Sequence, residues 1–175
     1  ARWGYLTPVT LSKEGLSDMY VSSSGYDDGA TMPARFATRQ VEGGTGASVP
    51  LEWGDVPPGT LSYVVEMIDH HPVAHDWLHW LVVDIPVAAR GIDEGASGTP
   101  AMPAGSLELA NRGGRVGYGG PQPPVGSGIH DYEITVLALD VARLGVHQDA
   151  TLEDAREAMR GHILGRATFV GRFGR

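Results

Sequence analysis

Residues 130–138 alternate with a period of two: His130, Tyr132, Ile134, Val136 and Ala138 point one way, and Asp131, Glu133 and Thr135 point the other. That period belongs to a half-buried β-strand, because successive side chains leave opposite faces of the pleat. Two further runs repeat it. Tyr63, Val65, Met67 and Asp69 share a face in one, and His79, Leu81, Val83 and Ile85 in the other. The 25 glycines and 12 prolines suit a strand-and-turn fold with many punctuated connections. Gly43–Ser48 and Gly91–Gly105 read as loops, and Pro57-Pro58-Gly59 as a turn. The best helix lies late. Thr151 and Asp154 have the spacing of a capping box, and Leu152, Ala155, Met159 and Ile163 follow at helical intervals. Gly161 and Gly165 predict a break before Phe169, and the arginines at 160, 166, 172 and 175 read as charge complementing a helix end. The pattern predicts a mainly β protein with one or two C-terminal helices.

The 175 residues suit one domain spanning 1–175. A net charge of −8 argues against nucleic acid or an anionic membrane as the main partner, since both attract basic surfaces. With no cysteine, the chain has no disulfide, zinc–thiolate site or thiol nucleophile. No apolar run approaches the ~18 residues of a membrane span. A cysteine-free chain suits either redox compartment, and a cytoplasmic location is the expectation, with a secreted or periplasmic one left open.

Each alternating run carries one ionisable residue at its end: Asp69 last in the first, His79 first in the second, His130 first in the third. If the first two runs pair antiparallel, Asp69 and His79 fall at the same end of the sheet. A polar cluster at the rim of an apolar face is what a ligand mouth needs. Leading into His130 is Gly117–Tyr132, GYGGPQPPVGSGIHDY. Its prolines stiffen the loop, while Gly119 and Gly120 let backbone N–H groups approach a ligand. Such a loop beside two histidines could cradle a phosphate or carboxylate.

Gly120 through Tyr132 matches the Gly-Pro-x-Pro-Pro-x-Gly-x-x-x-His-x-Tyr element of the phosphatidylethanolamine-binding, or Raf-kinase-inhibitor-like, proteins. Trp77, His79 and Trp80 resemble that family's aromatic-x-His-Trp element. Asp28-Gly29 with Met32-Pro33, the stretch Ser48–Thr60, and Ala158-Met159 with Gly161-His162 and Val170-Gly171 resemble further parts of it. The likeness runs from about Met19 onward and is nearest the bacterial and archaeal branch. It implies two packed antiparallel sheets with C-terminal helices, a homodimer, and a small pocket for phosphate, phosphorylated headgroups or carboxylates. The implied pocket residues are Asp69, Trp77, His79, Gly120, Pro121, His130 and Tyr132.

Two positions depart from the family pattern. His71 stands where the family has the second aspartate of its Asp-Pro-Asp-Ala-Pro element, and Asp131 stands where it usually has arginine. The paired change suggests a His71–Asp131 contact. His71, His75 and His79 are spaced four apart, which would help a metal only on a helix, and Pro72 argues against one. No metal or other cofactor is expected. Two functions follow. One is a binding protein for a small anionic or amphipathic ligand, with affinity rising as protonation of the histidines tightens the anion; nothing identifies a protein partner. The other is a cofactor-independent enzyme in which Asp69, His79 and His130, with His71 and Asp131, run acid–base chemistry such as cyclisation, dehydration or isomerisation on an apolar substrate. Neither a nucleophile-elbow motif nor a P-loop is present.

Overall fold

The computed structural model describes residues 18–175. In chain order its elements are β1 (Tyr20–Ser22), β2 (Leu51–Gly54), β3 (Ser62–Asp69), β4 (Trp77–Pro86), β5 (Gly91–Ile92), β6 (Leu107–Glu108), β7 (Ile129–Leu139), α1 (Leu152–Met159) and β8 (Ile163–Gly174). Short 3-10 turns lie at Ala34–Phe36 and Pro72–Ala74. The strands form two antiparallel sheets, β1-β2-β5 and β6-β4-β3-β7-β8. The fold is mainly β, as the alternation predicts.

The main core fills the space between the sheets. Tyr63, Val65 and Met67 of β3, and Tyr132, Ile134, Val136 and Ala138 of β7, meet Leu51, Trp53 and Ile92 of the small sheet. Period two therefore holds along β3 and β7. Their opposite faces are covered too: Val64, Ile68, Leu137 and Leu139 cluster with Ala155 and Met159 of α1. That second layer explains why β3 is buried along its whole length.

The faces of β4 depart from the expected alternation. Trp80, Val82 and Ile85 join the main core, whereas Leu78, Leu81 and Val83 face α1. The cause lies in the register with β3. Between the pairs Met67↔Trp80 and Ile68↔Leu78, and again between Tyr63↔Ile85 and Val65↔Val82, β4 holds one residue more than its partner. These are β-bulges, which re-aim side chains locally. The first places His79 and Trp80 on the same face. The second includes Asp84, whose positive φ of 56° fits the kink, and whose carboxylate accepts from Leu144 N–H at 2.8 Å.

The C-terminal region holds one helix. Thr151 and Asp154 form the capping box in both directions. The helix stops at Met159, Gly161 takes φ 80°, and Ile163 opens a strand instead of continuing the helix. In β8, Ala167, Phe169, Gly171 and Phe173 turn inward and Arg166, Thr168 and Arg172 outward. Arg166 and Arg172 therefore line the solvent face of a strand, not a helix end, and Arg175 follows the strand and donates to the Pro123 carbonyl; Arg160 alone of the four lies at the helix terminus, where it pairs with Glu157. Among the described residues, no helix is long and apolar enough to cross a membrane.

Candidate functional site

Register brings the candidate residues together. Asp69 lies opposite Tyr132 on one side and Trp77 on the other, so the last residue of β3 meets the first turns of β4 and β7 at one end of the large sheet. There the side chains enclose a cleft of about 440 Å³. Asp69, His79, His130 and Tyr132 form its floor, Val73, Ala74, Trp77, Pro123 and Pro124 its apolar walls, and Arg115 and Gln122 stand in its rim. A volume of this order suits a small organic ligand.

The floor is a hydrogen-bonded chain. His130 Nδ1 donates to Asp69 Oδ2 at 2.6 Å, and its Nε2 lies 2.8 Å from Ser127 Oγ. The Ser127 hydroxyl also reaches the Pro124 carbonyl at 2.6 Å. Asp69 Oδ1 accepts the His71 backbone N–H at 2.9 Å. The Asp69–His130 pair is almost wholly out of solvent. The His71 ring lies flat on the His130 ring, with centroids 3.8 Å apart and planes within 9°. His71 also accepts from Val73 N–H, capping the short turn that supplies Val73 and Ala74 to the cleft.

His79 is oriented from the other side. Its Nδ1 donates to the Gly119 carbonyl at 2.7 Å, which fixes the ring tautomer. Burial holds its pKa below the ordinary imidazole value, outweighing the opposing pull of the Gly119 carbonyl and the Asp69 charge. Tyr132 packs edge-on to His79 at 5.1 Å. Burial, followed by the neighbouring Asp69 charge, pushes the Tyr132 phenol well up, so it stays protonated.

The glycine–proline loop is anchored from below. A Cβ on Gly120 would sit 2.5 Å from the Phe36 carbonyl oxygen, so only glycine allows this approach. Thr38 N–H donates to the Pro121 carbonyl at 3.1 Å, and the Tyr118 hydroxyl to the Phe36 carbonyl at 2.8 Å. Asn111 donates to the Gly117 carbonyl at 3.0 Å. Glu108 collects Trp80 Nε1–H, Ser97 Oγ–H and Gly98 N–H.

Of the residues singled out from sequence, Asp69, Trp77, His79, Gly120, His130 and Tyr132 lie on the cleft. Pro121 is buried behind it and serves the loop anchor. The expected His71–Asp131 contact does not form. Asp131 sits on the outer face of β7, where it pairs with Arg172 at 3.1 Å, while His71 stacks on His130 across the sheet. Period two dictates this, since neighbours along a strand face opposite ways. His71, His75 and His79 share no helix: His71 caps a 3-10 turn, His75 is left-handed at φ 51° and His79 is in β4. Among the described residues no cluster of three or more His, Cys, Asp or Glu is placed to hold a metal. Sequence reasoning missed Ser127 and Asn111. Both lie outside the strands and the helix, where no periodicity marks a residue.

The comparisons with known proteins agree with the fold. A family model described as phosphatidylethanolamine-binding protein matches residues 22–174. A "UPF0098 protein" of Methanothermobacter thermautotrophicus is 33% identical over 157 residues, covering 90% of this chain and 99% of the relative. Another, from Aquifex aeolicus, is 36% identical over 165 residues, 94% of each chain. The crystal structure of Escherichia coli YbcL, described as a new member of the mammalian PEBP family, superposes with a TM-score of 0.84 at 24% identity, covering 91% of this chain and 99% of that one. With the family model spanning nearly all the described residues, the chain belongs to the phosphatidylethanolamine-binding protein family.

Proposed function

We propose that the cleft binds a small ligand with an anionic group and an apolar body. The observation that carries this reading is the pairing of a buried Asp69–His130–His79 floor with apolar walls in one cleft of about 440 Å³. Trp77, Val73 and the two wall prolines would cover the apolar part. Arg115 at the rim and a protonated His79 would hold the anion. Because burial keeps His79 below its ordinary pKa, anion affinity rises only as pH falls past that value and His79 gains its proton. Calorimetry with phosphate, phosphoethanolamine and small apolar acids, at about pH 6 and about pH 8, tests this. Binding should be tighter at the lower pH and lost in His79→Ala and His130→Ala. A well-folded protein that binds none of these anions at either pH overturns it.

One observation favours a second reading, a cofactor-independent acid–base enzyme. His79 is a neutral imidazole of fixed tautomer beside the Asp69–His130 pair, which is how a general base is positioned. Turnover of an apolar substrate that His79→Ala abolishes, with binding retained, would support it over simple binding.

A further inference from the structure

The loop that joins β3 to β4 carries part of the cleft wall, and a charge cluster outside the cleft holds its foot. Val73 and Ala74 of this loop line the cleft, as does Trp77, where β4 begins. Asp69 pairs with Trp77 at the last rung of the hairpin, so His70 and Asp76 stand at the foot of the loop. There His70 Nδ1 lies 2.8 Å from Asp76 Oδ1, and its Nε2 lies 3.4 Å from Glu133 Oε1 of β7. A neutral imidazole has one N–H and one lone pair, so it serves one carboxylate and turns its lone pair on the other. Only the imidazolium donates to both. The loop above this foot needs holding: His75 and Asp76 take φ 51° and 53°, two successive left-handed residues, neither of them glycine.

We propose that His70 is a proton-operated clamp on the cleft wall. As a cation it ties the foot of the loop both to Asp76 and to β7, which seats Val73 and Ala74 against the cleft. Without its proton it keeps one tie, and the wall loosens. Burial pulls the His70 pKa down, but hydrogen bonds to Asp76 and Glu133 and their charges pull it up by more, so it lies above the ordinary imidazole value. The clamp is therefore closed below that ordinary value and opens as pH rises through the higher one. The other charges nearby are engaged elsewhere. Asp131 of β7 pairs with Arg172 of β8 at 3.1 Å. His71 lies on the cleft side of the loop, stacked on His130. Arg112 reaches the His75 carbonyl at 3.3 Å and stacks over Trp77, a tie that does not titrate near neutrality, so the loop is loosened and not released. This regulation rests on the reading of the cleft as a ligand pocket: a seated wall retains a ligand, and a loose one exchanges it faster.

Amide hydrogen exchange on the ligand-free full chain, corrected for the intrinsic rate at each pH, tests the clamp. The reporter is Ala74 N–H, bonded to the His71 carbonyl at 2.8 Å. An exposed ion pair is worth a few-fold, so its protection should fall about threefold between about pH 5.5 and about pH 8. His70→Gln should show the lower protection at both pH values, and His70→Arg, a permanent cation, the higher. Wild-type protection that does not change with pH, or that changes equally in His70→Gln, overturns the proposal. Ligand exchange is then compared at a single pH, about 6, so that His79 protonation is common to all the proteins; phosphate should leave His70→Gln about threefold faster than His70→Arg. Equal rates overturn the proposal. If the amide response is present and none of the proteins binds phosphate, the clamp stands and the anion reading of the cleft fails.

Discussion

Removing the Asp69 carboxylate is the most informative perturbation of the floor. In Asp69→Ala, the His130 Nδ1–H at 2.6 Å and the His71 N–H at 2.9 Å lose their acceptor together. Water cannot readily replace it, because Asp69 is 3% exposed and His130 1%. Breaking a buried charged pair by deleting one partner costs about 3–5 kcal/mol, a large share of the roughly 5–15 kcal/mol that holds a typical domain folded. Removing both partners should be gentler. In the double variant Asp69→Leu/His130→Phe the buried charge disappears and apolar volume replaces it, leaving chiefly the His71 N–H unsatisfied at about 1–3 kcal/mol. Urea unfolding followed by tryptophan fluorescence near neutral pH measures all three proteins plus His130→Phe. The double variant should be more stable than Asp69→Ala alone. A single substitution costing under about 1 kcal/mol, or a double variant whose cost is the sum of its parts, would falsify the idea that these two groups stabilise the floor as one unit.

Three further outcomes are expected. Burial keeps folded His79 below its ordinary value of 6.5, so the unfolded chain binds the extra proton; that contribution to stability is full above about pH 6.5 and falls as pH drops through the folded value. Unfolding measured across that window should show a slope that His79→Gln flattens; an unchanged slope would mean other groups set it. Thr151→Ala removes the hydroxyl that accepts Asp154 N–H at 3.1 Å and should cost about 1 kcal/mol, read as a lowered Tm, with no change in probe binding. Gly120→Ala sets a methyl group 2.5 Å from the Phe36 carbonyl oxygen and 2.7 Å from Thr38 N, so the loop must move off the Phe36–Thr38 backbone; the variant should lose cleft binding by at least about tenfold, whereas wild-type affinity would show that the loop tolerates displacement.

How much of this was legible depended on how strongly each residue declares its surroundings. The alternation of β7 is carried by large apolar side chains against charged ones, so its faces, and His130 as the ionisable residue opening its inward face, followed directly. Strand β8 alternates just as regularly, but half its inward positions are Ala167 and Gly171, which carry little hydrophobic signal, and its outward arginines resemble a basic tail. The small sheet hides in loop-like composition because its strands are two to four residues long and draw their stability from packing on the larger one. In the site, Asp69, His79 and His130 stood out because they are ionisable residues ending apolar runs. Ser127 and Asn111 did not, because their roles lie in hydrogen bonds to backbone and ring atoms that spacing does not encode. His71 was visible as a departure from the family pattern, yet its partner was misassigned; stacking on His130 depends on the bend after β3, which no local pattern reports.

The paired bulges of β4 have a consequence for how this strand can change length. One extra residue at His79 shifts the inward phase by half a pleat, and a second near Asp84 shifts it back, so His79 and Ile85 face the core although the residues between them do not follow simple parity. The strand is thus phase-locked at both ends. Deleting the extra residue at either bulge, His79 or Asp84, would restore regular pairing and leave every other side chain on its own face, whereas deleting Leu81 between the bulges would turn Val82 and Val83 to the wrong surfaces. A library scanning single-residue deletions through this strand should therefore recover folded members at the two bulges and none between them.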